Sequence, residues 1–463
     1  MRAQSTTVAL AVLGLAALPG SAAAQAPPHT SEARDDYDLA VHSETHAELF
    51  RRALLPGPSG ALVEAGAEAP VYEYLRLRAR RVDTSWQKDG VDVELAAWGR
   101  AGLAGGEAEQ RFDGDVQTAN AGYEQGPLSL RLGRQHVAGG AARYARFDGL
   151  RLGALLGAGL DIEAYGGLTV LPRWDARPGY HQLGAAADSL LREPEALPEP
   201  ERSGQRLAGG RIGWTARRSR AGASFHEQHE AADLGRRSFG VDGRASVSDD
   251  VALGGSGVLE LDAGRVSDGR LWLDAAPARE LDVSAEVLHA EPALFLSRQS
   301  VLSVFSTDAY EDLVGSARLH ATRRLTLEGS GSVQLYDATR RGGRGEIAAR
   351  VLGDARGRTH VRLGYARVLA VDNGYNSLRL SLSHRIVPAV SGTLEAYAYL
   401  YDAPILERSS SEIYSGTLAW QVSRVLGLSW GASLAQSPYA SFDAQTLARV
   451  SCDFDLSAGG AER

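Results

Sequence analysis

The segment RLTLEGSGSVQLYD, residues 324–337, alternates strictly between apolar and polar side chains. Leu325, Leu327, Val333 and Leu335 share one parity with two glycines, and the other parity carries Thr, Glu, Ser and Gln. A period of two residues is typical of a β-strand with one apolar and one polar face. Because the mean strand in soluble proteins spans only about 5–6 residues, this run predicts a strand about twice as long.

The same alternation recurs from about residue 71 to the C-terminus, for example at residues 128–132, 281–287, 378–382 and 426–434. Roughly 20 such segments, each about 10–13 residues long, fit the length of tilted strands that cross a bilayer. Short turns alternate with longer, more polar connections between the segments. This arrangement is typical of an up-and-down barrel of an outer membrane.

A soluble β-sandwich is the main alternative, because its strands also have one apolar face. The apolar faces here mix Leu and Val with many Ala and Gly, which suits lipid better than a core packed to crystal-like density. Several tyrosines stand near predicted strand ends, where an interfacial girdle or loop packing would place them. These are Tyr310, Tyr375, Tyr401, Tyr414 and Tyr439. We therefore predict an all-β, transmembrane, up-and-down antiparallel β-barrel of about 20–22 strands, with a lumen too wide to be filled by its own side chains.

The N-terminus has the pattern of an export signal. Arg2 is followed by an apolar run at residues 8–18 and by small residues at 21–26, which predicts a cleaved signal peptide over residues 1–26. The apolar run is too short to span a bilayer as a helix. The only cysteine is Cys452, so an intramolecular disulfide is excluded.

Residues 27–70 do not fit the alternating pattern. The sequence from Thr45 to Glu48 resembles a capping box and predicts a short helix. We interpret this segment as a periplasmic segment, a plug inside the lumen, or a linker. The predicted barrel then covers residues 71–456, and residues 457–463 form a C-terminal tail.

Charged residues on the polar parity of the predicted strands are candidates to line a pore. They are Arg131, Arg151, Glu163, Glu286, Glu328, Glu346, Arg362, Arg379, Glu395, Arg449 and Asp453. Rings of charge set the selectivity of pores. Alternatively, opposite charges on neighbouring strands pair with each other and hold the wall rigid. The sequence leaves both roles open.

The longest predicted connection, residues 171–205, is rich in proline and acidic residues. Folded inward, it would narrow the channel, and its charged residues would then lie at the constriction. These candidates are Arg173, Arg192, Glu193, Glu195 and Glu199. Folded outward, the same loop would be a surface or adhesion element.

The sequence gives no support for catalysis, a metal or a cofactor. The histidines of His226-Glu227-Gln228-His229 are three residues apart, which places them on opposite faces of a strand. No G-x-S-x-G motif is present, and no Ser, His and acidic cluster stands out. We expect no catalytic residue, no metal site and no cofactor. The net charge of −8 gives no argument for nucleic acid.

The stretch LRLGRQHVAGGAARYARFDGLRLG, residues 130–153, followed by IEAYGGLTV, residues 162–170, resembles large porin-like outer-membrane barrels. Among these, it is most similar to alginate-export-type barrels. The resemblance implies passage of small hydrophilic or anionic solutes across a bacterial outer membrane, with membrane lipid and the barrel-assembly machinery as partners. We therefore expect a channel for small hydrophilic solutes; a closed or plugged barrel with a structural or adhesion role is the alternative. The oligomeric state stays open.

Overall fold

The long alternating segments form a single closed sheet. The computed structural model describes residues 36–51, 67–83, 89–104, 112–170, 205–230, 233–294, 308–336, 340–354, 356–370, 373–438 and 442–458. Within these ranges, 22 long antiparallel strands and one two-residue strand are hydrogen-bonded into one sheet. The predicted all-β barrel is therefore confirmed, at the upper end of the expected number of strands.

The strands follow one another around the wall in chain order. Their bounds are β1 Asp36–Arg51, β2 Ala67–Glu68, β3 Pro70–Asp83, β4 Asp89–Gly102, β5 Phe112–Gln125, β6 Leu128–Gly139, β7 Arg143–Leu155, β8 Leu160–Thr169, β9 Arg206–Thr215, β10 Ser219–Glu230, β11 Asp233–Ser246, β12 Val251–Glu260, β13 Arg265–Ala278, β14 Leu281–Ala290, β15 Tyr310–Leu319, β16 Leu325–Leu335, β17 Arg341–Leu352, β18 Thr359–Leu369, β19 Tyr375–Val387, β20 Val390–Ile405, β21 Arg408–Gln421, β22 Leu426–Gln436 and β23 Asp443–Ala458. Short 3₁₀ turns lie at Gly140–Ala142, Gly157–Gly159 and Pro292–Leu294.

The barrel closes through its first strand. β1 pairs with β3 on one side and with β23 on the other, and residue Ser43 lies opposite both Leu75 and Cys452. Asp36 and Ala458 consequently lie at the same end of the barrel, which we call the turn end. The opposite end, which carries the connection at residues 171–204, is the loop end. That connection, the predicted signal peptide at 1–26 and residues 459–463 lie outside the described residues.

The predicted helix near Thr45 is wrong, because these residues belong to β1. The hydroxyls of Ser43 and Thr45 donate to the carboxylate of Glu73 on β3, at 2.6 and 2.5 Å. Polar residues on the outward face of β1 therefore conceal the alternation, and Thr45 together with Glu48 imitates a helix cap. The barrel begins at Asp36 rather than at residue 71, and its last strand continues to Ala458 rather than to 456.

Connections at the turn end are tight, as the sequence predicts. The chain reverses at residues 126–127, 279–280 and 388–389. In the turn between β17 and β18, the backbone N–H of Arg358 donates to the Asp354 carboxylate at 2.7 Å. This hydrogen bond holds the pKa of Asp354 below its usual range, because it favours the ionised form.

The outward face of the wall is apolar. Leu327 and Val333 on β16 are 40% and 48% exposed, and the opposite parity of that strand carries Glu328 and Ser330. Gly331 lies opposite Gly315 on β15 and Gly345 on β17, which leaves a smooth patch across three strands. Large outward side chains elsewhere on the wall are also exposed; they include Leu130, Leu152, Leu271, Ile347, Leu363, Leu380 and Leu394.

The closure of the barrel can be tested with its native cysteine. Directly opposed residues of an antiparallel pair have Cα atoms about 4.5–5.5 Å apart, which is within the range of about 4.4–6.8 Å that a disulfide requires. Ser43→Cys should therefore form a disulfide with Cys452 under mild oxidation. Because the bridge would join nearly the two ends of the chain, the denatured protein should migrate faster on a non-reducing gel.

Ala47→Cys is the matched control, because it lies on the same face of β1 but opposite Ala448, four residues from Cys452. It should give no such bridge. If folded Ser43→Cys stays reduced under the same oxidant, β1 is not the strand that closes the barrel.

Candidate functional site

The face of the wall opposite to the exposed leucines encloses a polar lumen. Its charged side chains pair across strands: Arg131 with Asp92 at 2.9 Å, Arg151 with Glu163 at 2.5 Å, and Arg270 with Glu286 at 2.6 Å. The second and third pairs link consecutive strands diagonally, whereas the first reaches across β5, from β6 to β4. The lumen wall is therefore braced by ion pairs along much of its circumference.

The densest group of charges spans β15 to β18. Glu328 lies 3.4–3.5 Å from Arg318, Arg350 and Arg362. Glu346 lies 2.9 Å from Arg362 and 2.6 Å from Arg344. Because each of these glutamates contacts at least two arginines, we regard the group as a fixed set of charges. We call it the arginine wall: four arginines surround two glutamates, which leaves two positive charges in excess.

The arginine wall lines an open cavity of about 620 Å³. Arg379, which pairs with Glu395 at 2.9 Å, borders the same cavity on β19. At the closing strands, Arg449 contacts Glu44, and the Asp453 carboxylate lies 2.6 Å from His42 Nδ1. Every pore-lining candidate from the sequence thus has a partner of opposite charge, or His42, in the structure. Whether these residues set selectivity stays a prediction.

The β6–β7 hairpin folds into the lumen, an arrangement that sequence reasoning missed. At its tip, the backbone N–H of Ala141 donates to Ser224 Oγ at 2.8 Å, and Ser238 Oγ donates to the Ala141 carbonyl at 3.0 Å. Ser224 and Ser238 lie on the lumen face of β10 and β11, opposite to the exposed Phe225 and Phe239. The tip therefore rests on the inner wall.

Arg143 adds a charged anchor to the tip of the hairpin. Its guanidinium donates to Glu260 at 2.9 Å and to Ser267 at 2.5 Å, on β12 and β13. Gly140 has a φ of 56°, and a Cβ atom there would lie 2.3 Å from Ser224 Oγ. A glycine is needed at this position both for the backbone conformation and for the close approach.

A small apolar core forms beneath the hairpin. Phe147, which is fully buried, packs with Val137, Tyr165 and Leu207. The Tyr165 hydroxyl lies 3.2 Å from His226 Nδ1, so His226 is part of this packed region.

Within the described residues, no group of three His, Cys, Asp or Glu side chains could hold a metal ion. Likewise, none of the described helices is long and apolar enough to span a membrane.

The inward fold of the hairpin interrupts the wall between β5 and β6. Their register ends at Ala119 opposite Arg134, so residues 112–118 of β5 have no strand partner on that side. Side chains occupy the seam instead: Arg134 Nη1 donates to the Val116 carbonyl at 3.0 Å, and Arg146 pairs with Asp115 at 2.7 Å. Polar side chains thus replace backbone pairing where the hairpin leaves the wall.

The sequence carries a signal for this hairpin. Leu128, Leu130 and Leu132 occupy the outward parity of β6, but the same parity continues with Arg134 and His136. On the lumen parity, the polar residues give way to Val137 on β6 and to Ala145 and Phe147 on β7. Where apolar and polar residues exchange faces within one strand, the strand leaves the wall and enters the lumen.

The tyrosines at strand ends do not all form a girdle. Tyr310, Tyr375 and Tyr401 lie on the lumen face, where Tyr375 contacts Tyr401 with ring centres 6.4 Å apart. The girdle interpretation is wrong for these three. Tyr414 does lie on the outward face and is 52% exposed. Tyr439 lies outside the described residues, as do the five constriction candidates of the 171–205 connection.

The infolded hairpin and the arginine wall lie on opposite sides of the barrel. From β6 to β17 there are eleven steps along the 22 long strands in either direction around the ring. The hairpin and its core fill one side of the lumen, so the open space borders the arginine wall.

The anchoring of the hairpin can be tested by cysteine labelling in a Cys452→Ser background. Ala141 is 0% exposed, so Ala141→Cys should react slowly with a polar maleimide. Adding Arg143→Ala removes the hydrogen bonds to Glu260 and Ser267. The labelling rate should then rise by roughly ten- to hundredfold, the effect of losing a hydrogen-bonded charge.

Tyr144→Cys is the control, because Tyr144 is 59% exposed and should react rapidly with or without Arg143. Equal rates for Ala141→Cys and Tyr144→Cys in the parent protein would show that the tip does not rest on the wall.

Comparisons with known proteins give distant structural resemblance only. No family model matches the chain, and no curated protein matches it. Among solved structures, Pseudomonas aeruginosa OccK7 (OpdD) is 10% identical with a TM-score of 0.41, over 91% of this chain and 99% of that one. Pseudomonas aeruginosa OccK9 (OpdG) is 13% identical with a TM-score of 0.41, over 91% and 98%. A BenF-like porin from Pseudomonas fluorescens Pf-5 is 10% identical with a TM-score of 0.37, over 91% and 99%. These scores are all below 0.5, so the conclusions on fold rest on the strand pairing itself.

Proposed function

We propose that this protein is an outer-membrane channel for small hydrophilic solutes. The observation that carries the proposal is a closed barrel whose outward face is apolar and whose lumen is lined with charged and hydroxyl side chains. A closed sheet satisfies its backbone groups without water, which is the condition for crossing a bilayer with strands. The polar lumen then provides a path for solutes that lipid excludes.

The location and the partners follow from this architecture. The exposed leucines of the outward face support contact with membrane lipid. The predicted signal peptide supports export across the inner membrane. Insertion into the outer membrane would require the barrel-assembly machinery. We favour a role in transport over catalysis, because the lumen charges are engaged in pairs that brace the wall.

Selectivity would arise on the arginine wall. Its two excess positive charges border the open part of the lumen, where electrostatic barriers and attraction act on passing ions. The β6–β7 hairpin narrows the lumen from the opposite side. The charged residues of the 171–205 connection remain candidates for a second constriction.

The likeness to alginate-export-type barrels stays a hypothesis. It depends on residues 130–153 and 162–170, and the first of these segments forms the infolded hairpin with the strands that carry it. The motif therefore coincides with the element that narrows the lumen. A closed barrel with a structural or adhesion role is the second candidate, and it is favoured by the apolar core that fills part of the lumen.

Single-channel recording in a planar bilayer separates these two functions. Pure protein, shown to be folded by heat-modifiable gel mobility, should give discrete current steps. Arg143→Ala should give larger steps, because the freed hairpin no longer narrows the lumen. Folded protein that inserts without any current steps would favour the closed barrel.

The lipid-facing wall can be tested by placing an arginine on each face. Ile347, which is 66% exposed, lies opposite Gly329 in the middle of β16. Ile347→Arg should lower the free energy of unfolding in lipid vesicles by about 2–4 kcal/mol, the cost of arginine near the bilayer midplane.

Ser330→Arg is the control, because Ser330 lies in the lumen opposite Glu346. It should change the stability by less than about 1 kcal/mol, because water in the lumen screens the added charge from the arginines that already surround Glu346. Urea titration of both variants measures the difference. Equal costs for the two substitutions would contradict the assignment of the faces.

A further inference from the structure

A row of tyrosines faces the lumen at the loop end. Tyr397, Tyr399 and Tyr401 alternate along β20 on the same face as Glu395, whose carboxylate pairs with Arg379 in the lumen. Tyr375 on β19 lies opposite Tyr401. We call these four residues the tyrosine track. Tyrosines of an interfacial girdle face lipid, so this inward row needs another explanation.

The four rings of the track are partly exposed, and Arg379 covers one face of the Tyr397 ring. Tyr375 meets Tyr399 and Tyr401 at interplanar angles of 68° and 72°, with ring centres 5.7 and 6.4 Å apart. Edge-on contacts of this kind do not stack one ring face on another. Successive tyrosines on one face of β20 are roughly 6.6 Å apart, so the row extends along the strand from the mouth toward the arginine wall.

Hydrogen-bonding groups surround the rings. The Arg379 guanidinium lies 4.8 Å from the centre of the Tyr397 ring and 2.9 Å from Glu395. Ser377 and Ser381 border the same cavity as Tyr375, Tyr397 and Tyr399. The site therefore offers aromatic faces together with both donors and acceptors.

This combination fits one kind of solute, and we propose that the tyrosine track binds the pyranose rings of short oligosaccharides as they enter the channel. The face of an aromatic ring is electron-rich and attracts the polarised C–H groups on the face of a sugar ring. Sugar hydroxyls both donate and accept, so they suit serines and a paired Arg379 and Glu395. A flat aromatic solute would use the rings but not these polar groups. The inference rests on the proposed channel function.

Current recording with an uncharged sugar tests the proposal. Maltohexaose carries no charge, so the arginine wall cannot attract it by Coulomb interaction. Added on the loop side of open wild-type channels, it should cause brief, concentration-dependent closures. Tyr399→Ala should weaken the apparent affinity by roughly 2- to 12-fold, the effect expected for loss of one aromatic contact. Tyr399→Phe keeps the ring and should retain most of the affinity.

Tyr414→Ala is the matched control, because Tyr414 lies on the neighbouring strand but faces outward. It should bind maltohexaose like the wild type, and the linear polyol sorbitol should cause no closures. Open channels that maltohexaose does not close, or closures that Tyr399→Ala leaves unchanged, would overturn the proposal while leaving the channel function intact. Closures by uncharged benzamide in preference to the sugar would also overturn it. Absence of any conductance would instead remove the proposed function.

Discussion

The whole structure depends on the pairing of backbone N–H and C=O groups around a closed ring. A strand edge exposed to hydrocarbon leaves these groups unpaired at a cost of several kcal/mol each. β1 removes that edge by pairing with β3 and with β23, the last strand, from Tyr37 opposite Ala458 to Phe50 opposite Gln445. Once the ring is closed, side-chain parity decides which residues face outward and which face the lumen.

In the part of the wall that the structure describes, the incompletely paired seam between β5 and β6 shows where this requirement relaxes. Between β5 and β6 the register stops at Arg134, which follows the last outward leucine of β6, Leu132. Beyond that point Arg134 and Arg146 bind a backbone carbonyl and Asp115. On β6 the outward parity is polar beyond that point, with Arg134 and His136, whereas the unpaired part of β5 still exposes Phe112 and Val116. Side-chain hydrogen bonds therefore satisfy part of the strand edge that the inward fold leaves unpaired.

Sequence periodicity predicts most of this fold, because the alternation of faces follows from strand geometry alone. It fails for β1, where Ser43 and Thr45 face Glu73 and make the outward parity polar. The inward orientation of the tyrosine track could be predicted from the same alternation, since Tyr397 and Tyr399 share the parity of Glu395. The position of the hairpin tip on the inner wall could not be predicted in this way, because the contact between Ala141 and Ser224 joins residues far apart in sequence. Parity reveals a change of surroundings but not the partner that causes it.

The distribution of charge gives the lumen two different sides. An arginine and a glutamate in contact present a donor and an acceptor with little net field, so most of the wall is polar but nearly neutral. Positive charge exceeds negative charge around Glu328 and Glu346, opposite the hairpin in the ring. In the proposed channel, a solute would be confined to the side that carries the arginines and, at the mouth, the tyrosines, because the hairpin and its core occupy the other side. The inward fold of one hairpin would therefore determine which lining residues a solute meets, even though none of those residues lies on the hairpin itself.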